Sequence, residues 1–130
     1  MSDPLPDRIG RDPYAGWLGI ELLEVAPGYC RAALRLAPQM LNFHGDPHGG
    51  AIFSLADYAF SGASNAHGEP AVALSMTIQF LAAVRPGTRL VAEAREERQG
   101  RRAGFYRVTV TDEGGAAVAT CQAVSLRRPR

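Results

Sequence analysis

The chain has 130 residues, of which 46% are hydrophobic, and its formal net charge is +1. This length and composition predict one domain with a substantial core, and the balanced charge argues against a nucleic-acid partner. All 14 basic residues are arginine, which excludes mechanisms that need a lysine base or a lysine Schiff base.

The cysteines and the first residues bear on where the protein works. Cys30 and Cys121 have neither metal-binding nor redox spacing, and each lies in a strand-like run, so we expect buried, reduced thiols. The opening stretch MSDPLPDRIG is polar and rich in proline, unlike a signal peptide. No apolar run approaches the roughly 20 residues that cross a bilayer. We therefore expect a cytoplasmic protein without a membrane segment.

In chain order, the N-terminal part predicts an arm followed by a hairpin. Residues 1–13 are polar and contain three prolines, which predicts a loose arm or a short helix, and residues 14–18 are expected to add a helical turn. Strands are predicted at 20–25 and 29–36, joined by a turn at Pro27-Gly28. In the second strand, alternation predicts a buried face of Cys30, Ala32, Leu34 and Leu36 and an exposed face of Arg31, Ala33 and Arg35.

The middle of the chain predicts a loop at 37–47 and then a long helix. The helix is expected to begin at His48 or Gly49 and to end near Asn65. One stripe along it is apolar (Ile52, Leu55, Ala56, Ala59 and Ala63), and a second is small or polar (Gly50, Ser54, Asp57, Ser61 and Ser64). Asp57 is the only charged residue from Gly49 to Ala66, so the helix is predicted to be buried on nearly all sides.

The remaining residues predict a meander of antiparallel strands at 72–80, 89–98, 101–111 and 116–126, with a solvated tail at 127–130. A hairpin, one long helix and then strands predict an α+β fold, in which one curved sheet surrounds one central helix. Residues 1–130 thus form a single domain. Apolar residues assigned to the sheet face away from the helix (Ala94, Ala103, Ala117 and Ala119) predict pairing with a second copy of the chain.

Asp57 is the principal candidate for chemistry. A carboxylate on a buried helix is costly unless it is paired, hydrogen-bonded or neutral. In a structural interpretation it caps a neighbouring loop or pairs with an arginine such as Arg85. In a functional interpretation it is a general base or a nucleophile with a shifted pKa. The pattern by itself leaves both open.

His48, Gly49 and Gly50 at the predicted helix start are the second candidate. The first backbone N–H groups of a helix lack intrahelical partners and lie at its positive end, and glycine lets another molecule approach the backbone. These features suit a developing oxyanion, although the glycines could equally serve close packing against a strand. Gly49 lies about 12 Å along the helix axis from Asp57, too far for both to act on one carbonyl, whereas a second copy could supply its own Asp57.

Other motifs are weaker. His44 and His48 have the spacing H-x3-H with Asp46 between them, but they lie in a Gly/Pro loop without a well-placed third His or Cys, so no metal is predicted. The chain contains neither a G-x-S-x-G elbow nor a phosphate-binding glycine loop, and no cofactor is predicted. Asn42 is interpreted either as a turn residue or as a ligand.

Three stretches together resemble a known family. These are LNFHGDPHGG at 41–50, LADYAFSGASN at 55–65 and VALSMTIQFL at 72–81, followed by R-P-G at 85–87. They resemble the hotdog-fold acyl-CoA thioesterases, and in particular the phenylacetate-pathway (PaaI-type) branch. The resemblance extends from about residue 19 to residue 126. Relatives of the human type have Ser where this chain has Ala73, which places a water-holding role of that strand in doubt.

The resemblance implies a catalytic role for four residues. Asp57 matches the acidic catalytic residue, and Gly49 matches the glycine whose backbone N–H polarises the thioester carbonyl. His48 and Asn42 match polar residues that support the site, with Asn42 near the catalytic Asp across the subunit interface. The implied protein is a homodimer assembling to a homotetramer that hydrolyses small aromatic acyl-CoA substrates, such as phenylacetyl- or hydroxyphenylacetyl-CoA.

Substrate contacts are expected from two further groups. Gly50, Phe53 and Ser61 are expected to bind substrate near the helix, and Arg101 and Arg102, with Arg98, either meet the CoA phosphates or form a solvated hairpin tip. Two other functions remain open. One is a non-enzymatic acyl-CoA binding module, and the other is a hotdog dehydratase or hydratase that uses an Asp/His pair.

Overall fold

The computed structural model describes residues 4–128, which form three α-helices and one six-stranded antiparallel sheet. In order these are α1 (Leu5–Ile9), α2 (Pro13–Leu18), β1 (Glu21–Ala26), β2 (Tyr29–Arg35), a 3₁₀ turn (Pro38–Met40), α3 (Gly49–Asn65), β3 (Ala71–Phe80), β4 (Arg89–Gln99), β5 (Ala103–Thr111) and β6 (Ala117–Arg127). The predicted limits of the long helix and the α+β class are confirmed. No helix among the described residues is long and apolar enough to cross a membrane.

The strand order in the sheet is β1-β2-β4-β5-β6-β3. The predicted meander is correct for β4, β5 and β6 but wrong for β3, which lies at the far edge beside β6. Between β3 and β4 the chain crosses from that edge of the sheet to the side of β2, where β4 begins. Leu36 donates to the Thr88 carbonyl at 2.9 Å and accepts from the Gly87 N–H at 2.9 Å, and these bonds set β4 against β2.

The core lies between α3 and one face of the curved sheet. All five residues of the predicted apolar stripe are buried, as are Phe60 and Tyr106, whose rings meet edge to face at 5.4 Å. Cys30 and Cys121 are free and buried, as predicted, and burial raises the pKa of the Cys30 thiol to about 12. The helix therefore has the buried environment that its low charge indicated.

The outer face of the sheet is not the apolar surface that we predicted. Ala94 and Ala119 are fully buried in the core on the helix side. In β4 the inward face begins at Leu90 and includes Ala94, and in β6 Ala119 shares the buried face of Cys121 and Ala123. Of the other two predicted alanines, Ala117 is exposed and Ala103 is half-buried. The outer face instead carries ion pairs, including Arg95 with Glu93 at 3.1 Å.

Two smaller predictions are also corrected. Ala33 is buried rather than exposed, because its methyl group lies between strand partners Glu21 and Val91 and the flanking side chains are longer. The predicted tail begins too early, since Arg127 belongs to β6 and its guanidinium lies 3.3 Å from Glu69. Residues 1–3 of the predicted arm and 129–130 of the tail lie outside the described residues.

Strand β3, at the outer edge of the sheet, exposes several large apolar side chains. Val72, Leu74 and Phe80 are 40%, 61% and 53% exposed. Edge strands also present unpaired backbone groups, so an exposed apolar edge favours pairing with another strand. The case for a second copy therefore rests on this edge and not on the alanine face.

Candidate active site

Asn42 organises the loop that leads into α3. Its side-chain Oδ1 accepts from the backbone N–H of His44 at 2.9 Å and of Asp46 at 3.1 Å. Its own N–H donates to the Asp46 carbonyl at 2.7 Å. Because both donors are backbone N–H groups, the amide orientation is fixed and Nδ2 remains able to donate outside the loop. Asn42 therefore stabilises the turn through its Oδ1, and its Nδ2 remains available to donate a hydrogen bond.

His48 caps α3. Its Nδ1 accepts from the Gly50 N–H at 2.8 Å, so a neutral ring carries its proton on Nε2. Gly50, one of the expected substrate-binding residues, therefore has its N–H engaged within the chain. The Gly49 N–H has no acceptor among residues 4–128. It lies at the positive end of a 17-residue helix, where an anion or a developing oxyanion is stabilised.

A cavity of about 260 Å³ lies beside Gly49. Its lining is mainly apolar and includes Pro47, Ile52 and Phe80 together with Ala82, Ala83 and Val84. A methyl group at Gly49 would lie 3.3 Å from Phe80 Cζ, so the glycine serves close packing as well as access to its N–H. An apolar cavity next to an unpaired backbone N–H is an arrangement that can bind an apolar ligand and polarise its carbonyl group.

Asp57 is half-buried, and within the described part of the chain its carboxylate has neither a hydrogen bond nor an ion pair. Burial, and to a lesser extent the nearby carboxylate of Asp12, raises the pKa of Asp57. The structural interpretation, in which Asp57 pairs with Arg85 or caps a loop, finds no support among these residues. The carboxylate lines a pocket of about 70 Å³ with Ser54 and Ser61.

Gly49 and Asp57 face separate pockets that share no lining residue. One chain therefore does not bring the two groups together, in agreement with their spacing along α3. Ser61 is exposed and lines the Asp57 pocket, whereas Phe53 is half-buried and lines neither pocket.

The arginines of the β4–β5 hairpin lie at the opposite end of the molecule from Gly49. Arg101 and Arg102 are exposed, and the Arg102 carbonyl accepts from the Arg127 N–H at 2.8 Å. Arg127 is the strand partner of Ala71, and the Ala71 N–H donates a hydrogen bond to Asn65 Oδ1 at the C-terminal end of α3. Because α3 is about 25 Å long, these arginines are far from Gly49 of the same chain.

Two residues that lie beside Asp57 are not among the candidates predicted from the sequence. Asp12 lies in the same pocket and caps α2, accepting from the Ala15 N–H at 2.9 Å. Tyr14 also lines that pocket, and its hydroxyl lies 3.1 Å from Ser54 Oγ. The dipeptide Asp12-Pro13 is a typical helix start, which predicts α2 but not its contact with α3.

Metal-binding side chains are not clustered in the described chain. Among residues 4–128, no three His, Cys, Asp or Glu side chains are grouped so that they could hold a metal ion. His44 instead packs against the ring of Phe43, with ring centroids 4.1 Å apart.

The chain matches known proteins over most of its length. Residues 44–119 match the model of the thioesterase superfamily, which is more than half of the chain. The acyl-coenzyme A thioesterase PaaI of Escherichia coli K12 is 37% identical over 116 residues, covering 89% of this chain and 83% of that protein.

Solved structures show the same fold. The E. coli PaaI protein from the phenylacetic acid degradation operon superposes with a TM-score of 0.89 at 33% identity, covering 96% of each chain. A mutant of the phenylacetic acid degradation protein PaaI of Thermus thermophilus superposes with a TM-score of 0.86 at 39% identity, covering 90% of this chain and 100% of that chain. The chain therefore belongs to the thioesterase superfamily, as a hotdog-fold thioester hydrolase of the PaaI type.

Proposed function

We propose that this protein hydrolyses acyl-CoA thioesters to the free acid and CoA at a site formed between two copies of the chain. The observation that carries the proposal is the separation of two groups that hydrolysis needs. The Gly49 N–H and the Asp57 carboxylate are each without a partner in the described chain, yet they face different pockets. A second protomer would place its Asp57 opposite the first protomer's Gly49.

In this site Gly49 binds the thioester carbonyl. Its N–H donates to the carbonyl oxygen, and the helix dipole stabilises the negative charge that forms there when the carbonyl is attacked. The acyl chain or the thioester arm lies in the apolar cavity beside Phe80. His48 holds the helix start in place through Gly50, and Asn42 Nδ2 donates toward the carboxylate of the other protomer.

Asp57 of the other protomer supplies the attacking oxygen. Acting as a general base, it takes a proton from water, which then attacks the carbonyl carbon; acting as a nucleophile, it attacks directly and forms an anhydride that water cleaves. In both routes CoA leaves as the thiol or thiolate. The raised pKa suits the base route, because a stronger base accepts the proton of water more readily.

The exposed edge of β3 supports the dimer. Pairing β3 with the β3 strand of a second protomer would give the unpaired backbone groups of this edge hydrogen-bond partners and would cover Leu74 and Phe80. Two antiparallel β3 strands would set one protomer's Ala71 end, where the Arg101–Arg102 hairpin lies, opposite the other's Phe80 end, where Gly49 lies. We therefore propose that these arginines serve the CoA phosphates of the neighbouring site. The homotetramer is proposed from the resemblance to the family.

The proposed acyl group is small and aromatic. The PaaI relatives named above are described in connection with phenylacetic acid degradation. The proposed substrates are therefore phenylacetyl-CoA and hydroxyphenylacetyl-CoA rather than long-chain acyl-CoA thioesters.

A panel of acyl-CoA substrates tests the proposal, with free-thiol release and enoyl absorbance as parallel readouts. We expect thiol release with kcat/KM at least about tenfold higher for phenylacetyl-CoA than for palmitoyl-CoA. Asp57→Asn should lower kcat by at least about 10²-fold with an unchanged melting profile, because it removes the base or nucleophile. Asp7→Asn, an exposed carboxylate on α1, is the matched control.

The panel also separates the alternatives. Binding of acyl-CoA without thiol release would indicate a binding module, and a change in enoyl absorbance without thiol release would indicate a dehydratase or hydratase. Full activity in Asp57→Asn would overturn the catalytic assignment, and equal or better kcat/KM on palmitoyl-CoA would overturn the aromatic preference.

A further inference from the structure

The short helix α2 forms one wall of the Asp57 pocket. Tyr14 lines that pocket together with Asp57, Ser54 and Ser61. The pocket shares Asp12, Tyr58 and Ser61 with a larger groove of about 350 Å³ that continues between α1 and α3. A group bound beside Asp57 can therefore extend past Tyr14 into space large enough for an aromatic ring.

The ring of Tyr14 is held in one orientation. The Ser54 hydroxyl donates to the Gly50 carbonyl at 2.8 Å, so the Tyr14 hydroxyl is the donor in its 3.1 Å contact with Ser54 Oγ. At the end of α2, Gly19 adopts a left-handed φ of 89° and its N–H bonds back to the Ala15 carbonyl. The ring is thus presented on a rigid element, which favours selective binding.

The two aromatic residues of α2, Tyr14 and Trp17, are not buried in the hydrophobic core. Tyr14 is 56% exposed and Trp17 is 78% exposed, and their rings stack with centroids 6.1 Å apart and planes 28° apart. Tyr58, the other aromatic residue of the pocket, is buried, and its hydroxyl donates to the Ile9 carbonyl at 2.7 Å. Tyr14 is therefore the aromatic residue whose ring remains open to the pocket.

We infer that Tyr14, stacked beside Trp17, is a specificity-determining residue of this enzyme and forms the surface on which a flat aromatic acyl group packs next to Asp57. The inference rests on the proposed thioesterase function and adds to it a residue that selects the acyl group. An aromatic ring gains an offset-stacked or edge-to-face contact with Tyr14, worth roughly three- to tenfold in affinity, which a straight alkyl chain does not make.

The test compares the ratio of kcat/KM for phenylacetyl-CoA to that for butyryl-CoA in four proteins. Tyr14→Leu, which removes the aromatic ring, should lower this ratio roughly three- to tenfold. Tyr14→Phe, which keeps the ring and removes only the contact with Ser54, should retain the ratio. Phe105→Leu, an exposed aromatic residue on the outer face of the sheet, is the matched control and should also retain the wild-type ratio.

A binding measurement keeps the inference testable if Tyr14→Leu folds poorly. Trp17 is the only tryptophan of the chain, so intrinsic fluorescence reports directly on this wall. In the Asp57→Asn background, phenylacetyl-CoA should change the Trp17 fluorescence saturably and more than butyryl-CoA or free CoA does.

The outcomes separate this inference from the function on which it rests. An unchanged ratio in Tyr14→Leu, or an identical Trp17 response to phenylacetyl-CoA and butyryl-CoA, would overturn the role of Tyr14 while the thioesterase activity stood. Absence of thiol release from every thioester by the wild-type protein would overturn both.

Discussion

At the scale of the residue, Asp57 is a carboxylate that the chain surrounds with acid and hydroxyl groups. Asp12 and Tyr14 approach it from the α2 side, and Tyr58 lies on its own helix. The pKa of the Cys121 thiol in β6 is raised mainly by burial, and the Asp57 charge adds to that rise. Arg8 and Arg11 line only the larger groove. Burial is the main cause of the raised Asp57 pKa, and Asp12 adds to it. A like charge in the same pocket disfavours the ionised form of Asp57.

Asp12→Asn should therefore shift the pH dependence of activity. Asparagine caps a helix as well as aspartate does, so α2 keeps its start while the negative charge beside Asp57 is removed. The Asp57 pKa then falls toward its ordinary value. Because the deprotonated carboxylate is the active form and is lost as pH falls through that pKa, the acid limb of kcat/KM should move to lower pH.

The measurement is the pH profile of kcat/KM on phenylacetyl-CoA, with Asp7→Asn as the charge-matched control outside the pocket. We expect the acid limb of Asp12→Asn to lie at lower pH than that of the wild-type protein and of Asp7→Asn. A limb that stays in place, or one that moves equally in Asp7→Asn, would show that Asp12 does not act on Asp57.

At the scale of the element, α3 lies so close to β2 that one of its positions accepts only glycine. A methyl group at Gly62 would lie 2.6 Å from Cys30 Sγ and 3.3 Å from Cys30 Cβ. Both atoms belong to the packed core, where neither can move without displacing neighbours.

Gly62→Ala should lower the free energy of unfolding by about 1–3 kcal/mol, because the overlap outweighs the roughly 1 kcal/mol that alanine gains over glycine inside a helix. Urea unfolding measures the change. Gly16→Ala on α2 is the control, since a methyl group there meets nothing within 4 Å and should stabilise the protein slightly. Cys30→Ala in the Gly62→Ala background should recover part of the loss, and an additive loss would contradict the contact.

At the scale of the whole molecule, the proposed site needs two chains, and hybrid dimers test this directly. Gly49→Pro removes the N–H at the first position of α3, where proline is tolerated, and His48 already has φ −69° and ψ 132°, which suit a residue before proline. Gly49→Ala, which adds a methyl group but keeps the N–H, is the matched control. Gly49→Pro should lose about 10²–10³-fold in kcat, and Gly49→Ala much less.

Mixing Gly49→Pro subunits with Asp57→Asn subunits should restore activity. After random exchange about half of the dimers are hybrids, and in each hybrid one of the two sites combines an intact Gly49 with an intact Asp57, so about a quarter of the wild-type rate is expected. Thiol release after denaturation and joint refolding measures it. A mixture no more active than its components would show that Gly49 and Asp57 do not meet across subunits.

Local patterns in the amino-acid sequence are enough to predict the main elements and the chemical groups of the site. The stretch from Gly49 to Asn65 contains one charge and a regular apolar stripe, and these local features suffice to predict its limits as a helix. The helical spacing also showed that Gly49 and Asp57 cannot act together within one chain. Such conclusions need only the fixed geometry of a helix or strand and the residue types that occupy it.

Which elements contact one another is visible only in the folded chain. The position of β3 beside β6, the inward direction of Ala94 and Ala119, and the contact of Asp12 and Tyr14 with the Asp57 pocket all depend on strand register and on long-range closure of the sheet. Alternation predicts two faces for each strand but not which one receives the helix, and alanine fits either. Contacts between distant parts of a chain are set by the packing of the whole core, so they leave no local pattern in the residues that make them.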